Sequence, residues 1–328
     1  MLTAPGDLRE SALTAALEDG WGIRARSLNY LPVGWGSHHW ETRGDDRARW
    51  FVTVDELENK RASGSESLKD GFARLRGSLR SAVALKAAGY EHVIAPVPAR
   101  DTEPVVRFGE RFAVAVYPFA EGRSFQWGEW TGEARTAALR MLAATHTAPD
   151  RVRKDAPAED FAVDFRDQVE AACSGWAPAE SGPYTAPAAR LLREHATAVQ
   201  RRLGRYDGLV DLARALPGRD VLTHGEPHPG NVMLTSDGWR LIDWDTARTA
   251  PPERDLWHLD RGDSSVPDAY AAATGVTALP ELIELYRLRW DLGDLGAYTA
   301  RFFRPHAGDV DDVKSWELFT ALARSMAG

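Results

Sequence analysis

The sequence predicts an α+β protein in two parts, a β-rich N-terminal region and a longer, mostly helical remainder. Three observations carry that expectation. Runs rich in β-branched and aromatic residues, punctuated by glycine turns, crowd the first 117 residues. From residue 132 onward, apolar residues recur at helical spacing between breaks containing Gly and Pro. One stretch inside the helical part, 220–248 (DVLTHGEPHPGNVMLTSDGWRLIDWDTAR), departs from it. It reads as a short strand, a polar loop, a hairpin about Asp237-Gly238 and a second strand ending in Ile242; Asp-Gly between apolar runs is a strong hairpin signal.

Composition narrows the class. At 328 residues the chain is long enough for one large domain or two lobes. A net charge of −8 argues against nucleic-acid binding; it suits either a cationic small substrate or simple solubility. The single cysteine, Cys173, excludes an internal disulfide or a Cys-rich metal site and reads as a small buried apolar group. No apolar run reaches the length of a membrane span, and the acidic, helix-patterned N-terminus does not read as a signal peptide, so a cytoplasmic location is expected.

The elements follow in order. Residues 8–17 form an opening helix, and two strands joined by the turn at 43–46 come next, the second carrying 50–54 (WFVTV). A glycine segment, Gly34, Gly36 and Ser37, lies beside them and is by itself a turn signal. Residues 65–88 form a helix opened by Ser65 and stopped by Gly89, with Arg74, Arg76 and Arg80 as surface charges. Residues 103–108 and 111–117 make a hairpin about Gly109-Glu110, ended by Pro118. Further helices are expected at 132–146, 161–173, 186–203, 209–216, 268–274, 279–292, 293–303 and 313–326. The stretch 175–187 (GWAPAESGPYTAP) is a flexible connection, and Ile283, Tyr286 and Trp290 form one helical stripe that reads as core.

The chemistry concentrates in 220–248. The loop holds His224, Glu226, His228 and Asn231, and the second strand delivers Asp243 and Asp245. An amide twelve residues before a carboxylate, with a hairpin between, suits an oxygen-rich Mg²⁺ site, since that ion takes one or two carboxylates plus substrate phosphates.

HGEPHPGN followed by LIDWD resembles the catalytic and metal motifs of the aminoglycoside phosphotransferase family, and LIDWDTARTAPPERDLWHL is similar to its spectinomycin phosphotransferase branch. The resemblance implies a bilobal protein-kinase-like fold, with an N-lobe at 1–117, a hinge at 118–122 and a helical C-lobe at 123–328. It implies Glu226 as the acceptor-orienting carboxylate, in place of the family's Asp, with His224 bracing the loop. Asn231 and Asp243 would bind Mg²⁺. Gly34, Gly36 and Ser37 would cover the phosphates of ATP (or GTP), and the backbone of Val116, Tyr117 and Phe119 would meet the adenine. Thr53 stands where the family's third strand carries a lysine; Lys60 follows shortly after but reads as a solvated surface lysine. No glutamate on the next helix matches the usual partner of that lysine. Arg254 and Asp255 would form an ion pair beneath the catalytic loop. Asp245, Trp257, Asp260, Asp263 and Asp291, with Asp294, are candidates for the acceptor pocket, and Trp176 and Tyr184 for a helical insert lining it.

The function implied is Mg²⁺-dependent phosphoryl transfer from ATP to a hydroxyl of a small molecule, an antibiotic of aminocyclitol, aminoglycoside or nucleoside type. A kinase of an amino alcohol or sugar is one alternative. A catalytically weak pseudokinase-like binding protein is another, suggested by Glu226 and Thr53. A protein kinase is excluded by the missing HRD-type loop and DFG triplet. No nucleic-acid or membrane partner is expected, and the chain would be a monomer or homodimer.

Overall fold

The structure is a computed structural model that describes residues 1–45 and 47–326. Its first part contains α1 (Glu10–Trp21), β1 (Ala25–Leu31), β2 (Ser37–Gly44), β3 (Arg49–Glu56), α2 (Leu68–Ala87), β4 (Val106–Phe108) and β5 (Phe112–Pro118). The strands make one antiparallel sheet in the order β1-β2-β3-β5-β4. Of the expected turn at 43–46, Asp46 lies outside the described residues.

Alternation along the strands divides this sheet into two faces. Val52, Val54, Val114 and Val116 pack with Leu13 and Leu17 of α1. Burying each such side chain contributes about 1.5–3 kcal/mol. Ala113 and Ala115 point the other way and join Leu75 and Leu79 of α2. Thr53 pairs with Ala115 and Asp55 with Ala113, so a threonine and a carboxylate share that inner face.

The remainder contains β6 (Gly122–Ser124), α3 (Gly132–His146), α4 (Arg166–Cys173), α5 (Thr185–Glu194), α6 (Ala196–Arg214), β7 (Val221–Thr223), β8 (Val232–Thr235), β9 (Gly238–Leu241), β10 (Arg248–Ala250), α7 (Glu253–Leu256), α8 (Ser265–Thr274), α9 (Pro280–Phe302) and α10 (Val310–Ser325). This is the expected α+β class, a sheet region followed by a helical one. Cys173 is buried in the helical core, and no helix among the described residues is long and apolar enough to cross a membrane.

A three-stranded sheet, β6-β8-β9, joins the two parts. After β5 the chain is held by the Phe119 N–H donating to the Arg49 carbonyl, with the Arg49 guanidinium 3.9 Å above the Phe119 ring. It then enters β6, which pairs with β8. The segment before β4 is tied to the same hairpin: Leu241 N–H donates to His92 O at 2.7 Å, and Ile94 N–H to Leu241 O at 3.1 Å.

Several boundaries differ from expectation for identifiable reasons. Ser67, not Ser65, caps α2, accepting the Asp70 N–H at 3.2 Å. The helix expected at 161–173 begins only at Arg166, because Phe161 and Phe165 adopt left-handed φ values of 58° and 53°. The 186–203 helix breaks at His195, and its second half absorbs 209–216 into α6. The helices expected at 279–292 and 293–303 are one helix, α9 (Pro280–Phe302). Leu292, Leu295, Gly296 and Thr299 continue its buried stripe past Gly293, where tertiary packing overrides the weak helix propensity of glycine.

Candidate active site

The loop after β7 is fixed by a buried acid beneath it. Asp255, at the end of the PPERD run, accepts the backbone N–H of His224 at 2.8 Å and of Gly225 at 2.6 Å. Its other partner is His146 Nε2 at 2.9 Å. Burial alone would raise this carboxyl, but the His146 hydrogen bond and neighbouring positive charge hold it down at about 2. Arg254 and Asp255 therefore do not pair with each other as expected. The Arg254 guanidinium turns to Thr223 Oγ1 and the Thr246 carbonyl, each at 2.9 Å. Gly225 has φ 102°, and a Cβ there would overlap that guanidinium, so only glycine fits.

His224 is fully buried. Its Nδ1 accepts the Glu226 N–H at 3.2 Å, which assigns the proton to Nε2, where it is donated to Ile242 O at 2.8 Å. The ring thus links the loop to the strand end that presents Asp243. Asn231 Nδ2 donates to Glu226 O at 2.9 Å, which leaves the amide oxygen of Asn231 for a ligand. No hydrogen bond among the described residues engages the Glu226 carboxylate.

Three carboxyls converge here. Asp243 stands at a left-handed φ of 67°, a conformation Asp tolerates better than most residues. It opens onto the water of the cleft, yet dense protein surrounds it otherwise; burial, then Asp245 and Glu226, push its carboxyl well above the ordinary range. Burial and Asp245 raise Glu226 to about 7, with Asp294 adding to the rise. Asp245 moves the other way. Burial would raise it, but Lys60, with Nζ 2.6 Å from Asp245 Oδ2, holds it below the usual range.

That contact corrects the reading of Lys60 as a surface residue. Its side chain is only 17% exposed, and its Nζ also lies 3.0 Å from Asp55 Oδ1. Arg74 is likewise no free surface charge, since it pairs with Glu66 and donates to the Lys60 carbonyl at 2.5 Å. Thr53 lies on the same inner face, its hydroxyl 3.5 Å from Ala115 O. Gly34 and Gly36 adopt φ values of 70° and 89°, and Ser37 Oγ donates to Asp55 Oδ1 at 2.5 Å.

Of the residues expected to meet adenine, Val116 accepts the Val97 N–H at its carbonyl, at 2.7 Å, and Phe119 donates its N–H to the Arg49 carbonyl at 3.1 Å. Tyr117 instead turns its ring into the cleft, where burial and Asp243 raise its phenol well above the ordinary value.

On the opposite side, Trp290 and Asp294 stand one turn apart on α9. Burial and Asp291 raise Asp294 to about 7. Trp290 is a wall rather than core: its ring stacks with that of Trp127 at 5.3 Å, and Trp127 is 57% exposed. Trp127 also lies 4.5 Å from the His228 ring, and Trp257 packs on His258 at 3.9 Å. The remaining candidates separate. Asp291 is 3.7 Å from Arg202, and Asp260 pairs with Arg287 at 2.8 Å. Asp263 is exposed and holds the backbone N–H of Ser265 at the start of α8, a local turn role outside the acidic cluster. Tyr184 stacks between His306 and Trp316, and Trp176 lies against Phe303, both outside the acidic cluster.

The donor set fits a divalent cation held jointly with phosphates. Among the described residues no three His, Cys, Asp or Glu side chains form a metal cage by themselves. Asp243 in its ionised form and the amide oxygen of Asn231 are oxygen ligands of the kind Mg²⁺ takes when phosphates complete its shell.

Comparison with known proteins places this arrangement. The family described as phosphotransferase enzyme family (APH) matches residues 28–290. Protein StrN of Streptomyces griseus is 34% identical over 259 residues, covering 74% of this chain and 75% of StrN. Among solved structures, spectinomycin phosphotransferase APH(9)-Ia, in complex with ADP and spectinomycin, superposes with a TM-score of 0.69 at 16% identity, covering 98% of this chain and 99% of that one. A microcompartment-associated aminopropanol kinase gives 0.61 at 14% identity, with 96% and 95% covered. The fold is therefore that of the kinase-like phosphotransferases, and the chain belongs to the phosphotransferase enzyme family.

Proposed function

We propose that this enzyme transfers the terminal phosphoryl group of ATP to a hydroxyl of a small cationic, ring-bearing antibiotic. One observation carries the reading. The Glu226 backbone is fixed by His224 and Asn231, while its carboxylate, beside Asp243 and Asp245, has no hydrogen-bond partner among the described residues. A carboxylate held without a partner next to other acids costs stability, and such costs cluster at functional sites.

In this mechanism Asn231 and Asp243 would hold Mg²⁺, and the ion would supply positive charge beside the phosphates. The positive φ of Gly34 and Gly36 lets backbone N–H groups approach the phosphates, and Ser37 is anchored on Asp55. Glu226 accepts a hydrogen bond from the acceptor hydroxyl and aligns it. A bond forms between that oxygen and the terminal phosphorus as the bond to the bridging oxygen of ADP breaks, and the hydroxyl proton passes to Glu226. The side chain is one methylene longer than the family's Asp and reaches further from a backbone held at both its N–H and its carbonyl.

The acceptor side supports the substrate class. Asp294 offers a carboxylate for a protonated amine, and the Trp127–Trp290 pair offers an aromatic face for a ring with an apolar side. A small amino alcohol would use Asp294 but leave the indoles idle, so the wall favours the antibiotic. A coupled ADP-release assay with Mg²⁺, ATP and a panel of aminocyclitols, aminoglycosides, nucleoside antibiotics and amino alcohols tests this. Turnover with a single phosphate added by mass is expected for a ring-bearing amine. Turnover confined to amino alcohols overturns the acceptor class, and no turnover on any acceptor overturns the activity.

A further inference from the structure

The chain has five lysines, and four of them, Lys69, Lys86, Lys154 and Lys314, are exposed. Lys60 alone is withdrawn into the cleft, with its ammonium between Asp55 of β3 and Asp245. Taking a lysine out of water is costly unless it is paired and held, so this position is built rather than incidental. Helix α2 builds half of it. Gly71 approaches so closely that a Cβ there would lie 2.9 Å from the Lys60 carbonyl, and Arg74 donates to that same carbonyl. The sheet builds the other half, because Asp55 binds both the Lys60 ammonium and the hydroxyl of Ser37 at the end of the glycine segment. The ammonium therefore stands between the glycine segment and the Asp243–Asp245 pair, the two features that flank a polyphosphate in the function proposed above.

We infer that Lys60 is the phosphate-neutralising cation of this enzyme, with Asp55 as its counter-ion. In the family pattern the strand carries the lysine and the helix carries its acidic partner. Here the strand carries the acid, the lysine comes from the turn after the strand, and the helix holds the lysine by its backbone. Uncharged Thr53 at the usual lysine position and the lack of a matching glutamate on α2 then have one common explanation.

This inference rests on the cleft being a nucleotide site, and the test separates the two. Calorimetry with the full chain, Mg²⁺ and either ATP or adenosine, without acceptor, is run on the wild type and on Lys60→Met. The expected result is an ATP affinity at least tenfold weaker in Lys60→Met, with adenosine affinity within twofold. Unchanged ATP binding, or equal losses for both ligands, overturns the lysine assignment. A wild type that binds neither ligand overturns the nucleotide reading itself. Should Lys60→Met not fold, the wild type carrying ¹³C-labelled lysine decides: the Cε signal of the single buried lysine is expected to move with Mg²⁺-ATP and to stay with adenosine. A signal indifferent to ATP overturns the inference.

Discussion

The carboxylate of Asp255 holds the backbone N–H of His224 at 2.8 Å from below, while the ring of the same histidine reaches forward to the Ile242 carbonyl. One residue is thus gripped from the helical core and grips the strand end before Asp243 in turn. Asp255 is fully buried and also meets Gly225 and His146. Asp255→Ala is expected to cost about 3–5 kcal/mol, the range for deleting one member of a buried charged network. Urea unfolding followed by tryptophan fluorescence measures it. A loss below ~1 kcal/mol would show that the loop is held by other contacts.

Glu226→Gln is expected to lower kcat by about 10²–10⁴, the range of a general base, with ATP affinity within about threefold. Steady-state kinetics and calorimetry on the same preparation separate the two numbers. Near-wild-type turnover would remove Glu226 from the mechanism.

The same substitution has an opposite effect on stability, and pH reveals it. In the nucleotide-free protein the Glu226 carboxyl titrates at about 7, against an ordinary value of 4.5. Between those two pH values the unfolded chain has released a proton that the folded one still holds, so this group's contribution to stability falls as pH rises from 4.5 to 7. Half-buried histidines such as His39 and His228, lowered to about 4, act in the opposite direction below pH 6.5. Comparing wild type with Glu226→Gln cancels them. The variant is expected to gain stability relative to wild type between pH 5 and 8, by about 1–3 kcal/mol at roughly 1.4 kcal/mol per pH unit. Thermal unfolding of both proteins across that range checks the sign.

On the acceptor side, Trp127→Ala is expected to raise the acceptor KM about 2- to 30-fold at unchanged kcat, the range for losing an aromatic face against a cation. Asp294→Asn is expected to raise KM roughly ten- to a hundredfold for acceptors with a charged amine, and little for neutral ones. Equal effects on both acceptor types would assign Asp294 a purely structural role.

What the sequence disclosed and what it hid follow from one difference. Glu226 and Asn231 precede the β8–β9 hairpin and Asp243 and Asp245 follow it, so local spacing alone brings them together. Lys60 meets Asp245 across 185 positions, and chain proximity gives no hint of that pairing. Asp55 was within reach, since it lies two residues beyond Thr53 on a strand and two residues is one side-chain repeat. Asp294 was among the acceptor candidates, but its pairing with Trp290, which the sequence assigned to the core, escaped for another reason. A break expected at Gly293 separated them, and only a continuous α9 sets them one turn apart on a common face. Arg254 and Asp255 show the limit of adjacency, because neighbours at the end of a short helix point to different partners.

The β8–β9 hairpin ties both chain segments that enter and leave the sheet, through His92 and Ile94 on one side and β6 on the other. The same hairpin separates Asn231 from Asp243 in the sequence. Its two strands pair from Val232–Leu241 to Thr235–Gly238, and just beyond them the Ile242 N–H donates to the Asn231 carbonyl at 3.1 Å. The separation of Asn231 from Asp243 is therefore set by one short ladder, as by the two legs of a caliper, and not by the packing of the sheet against the helices.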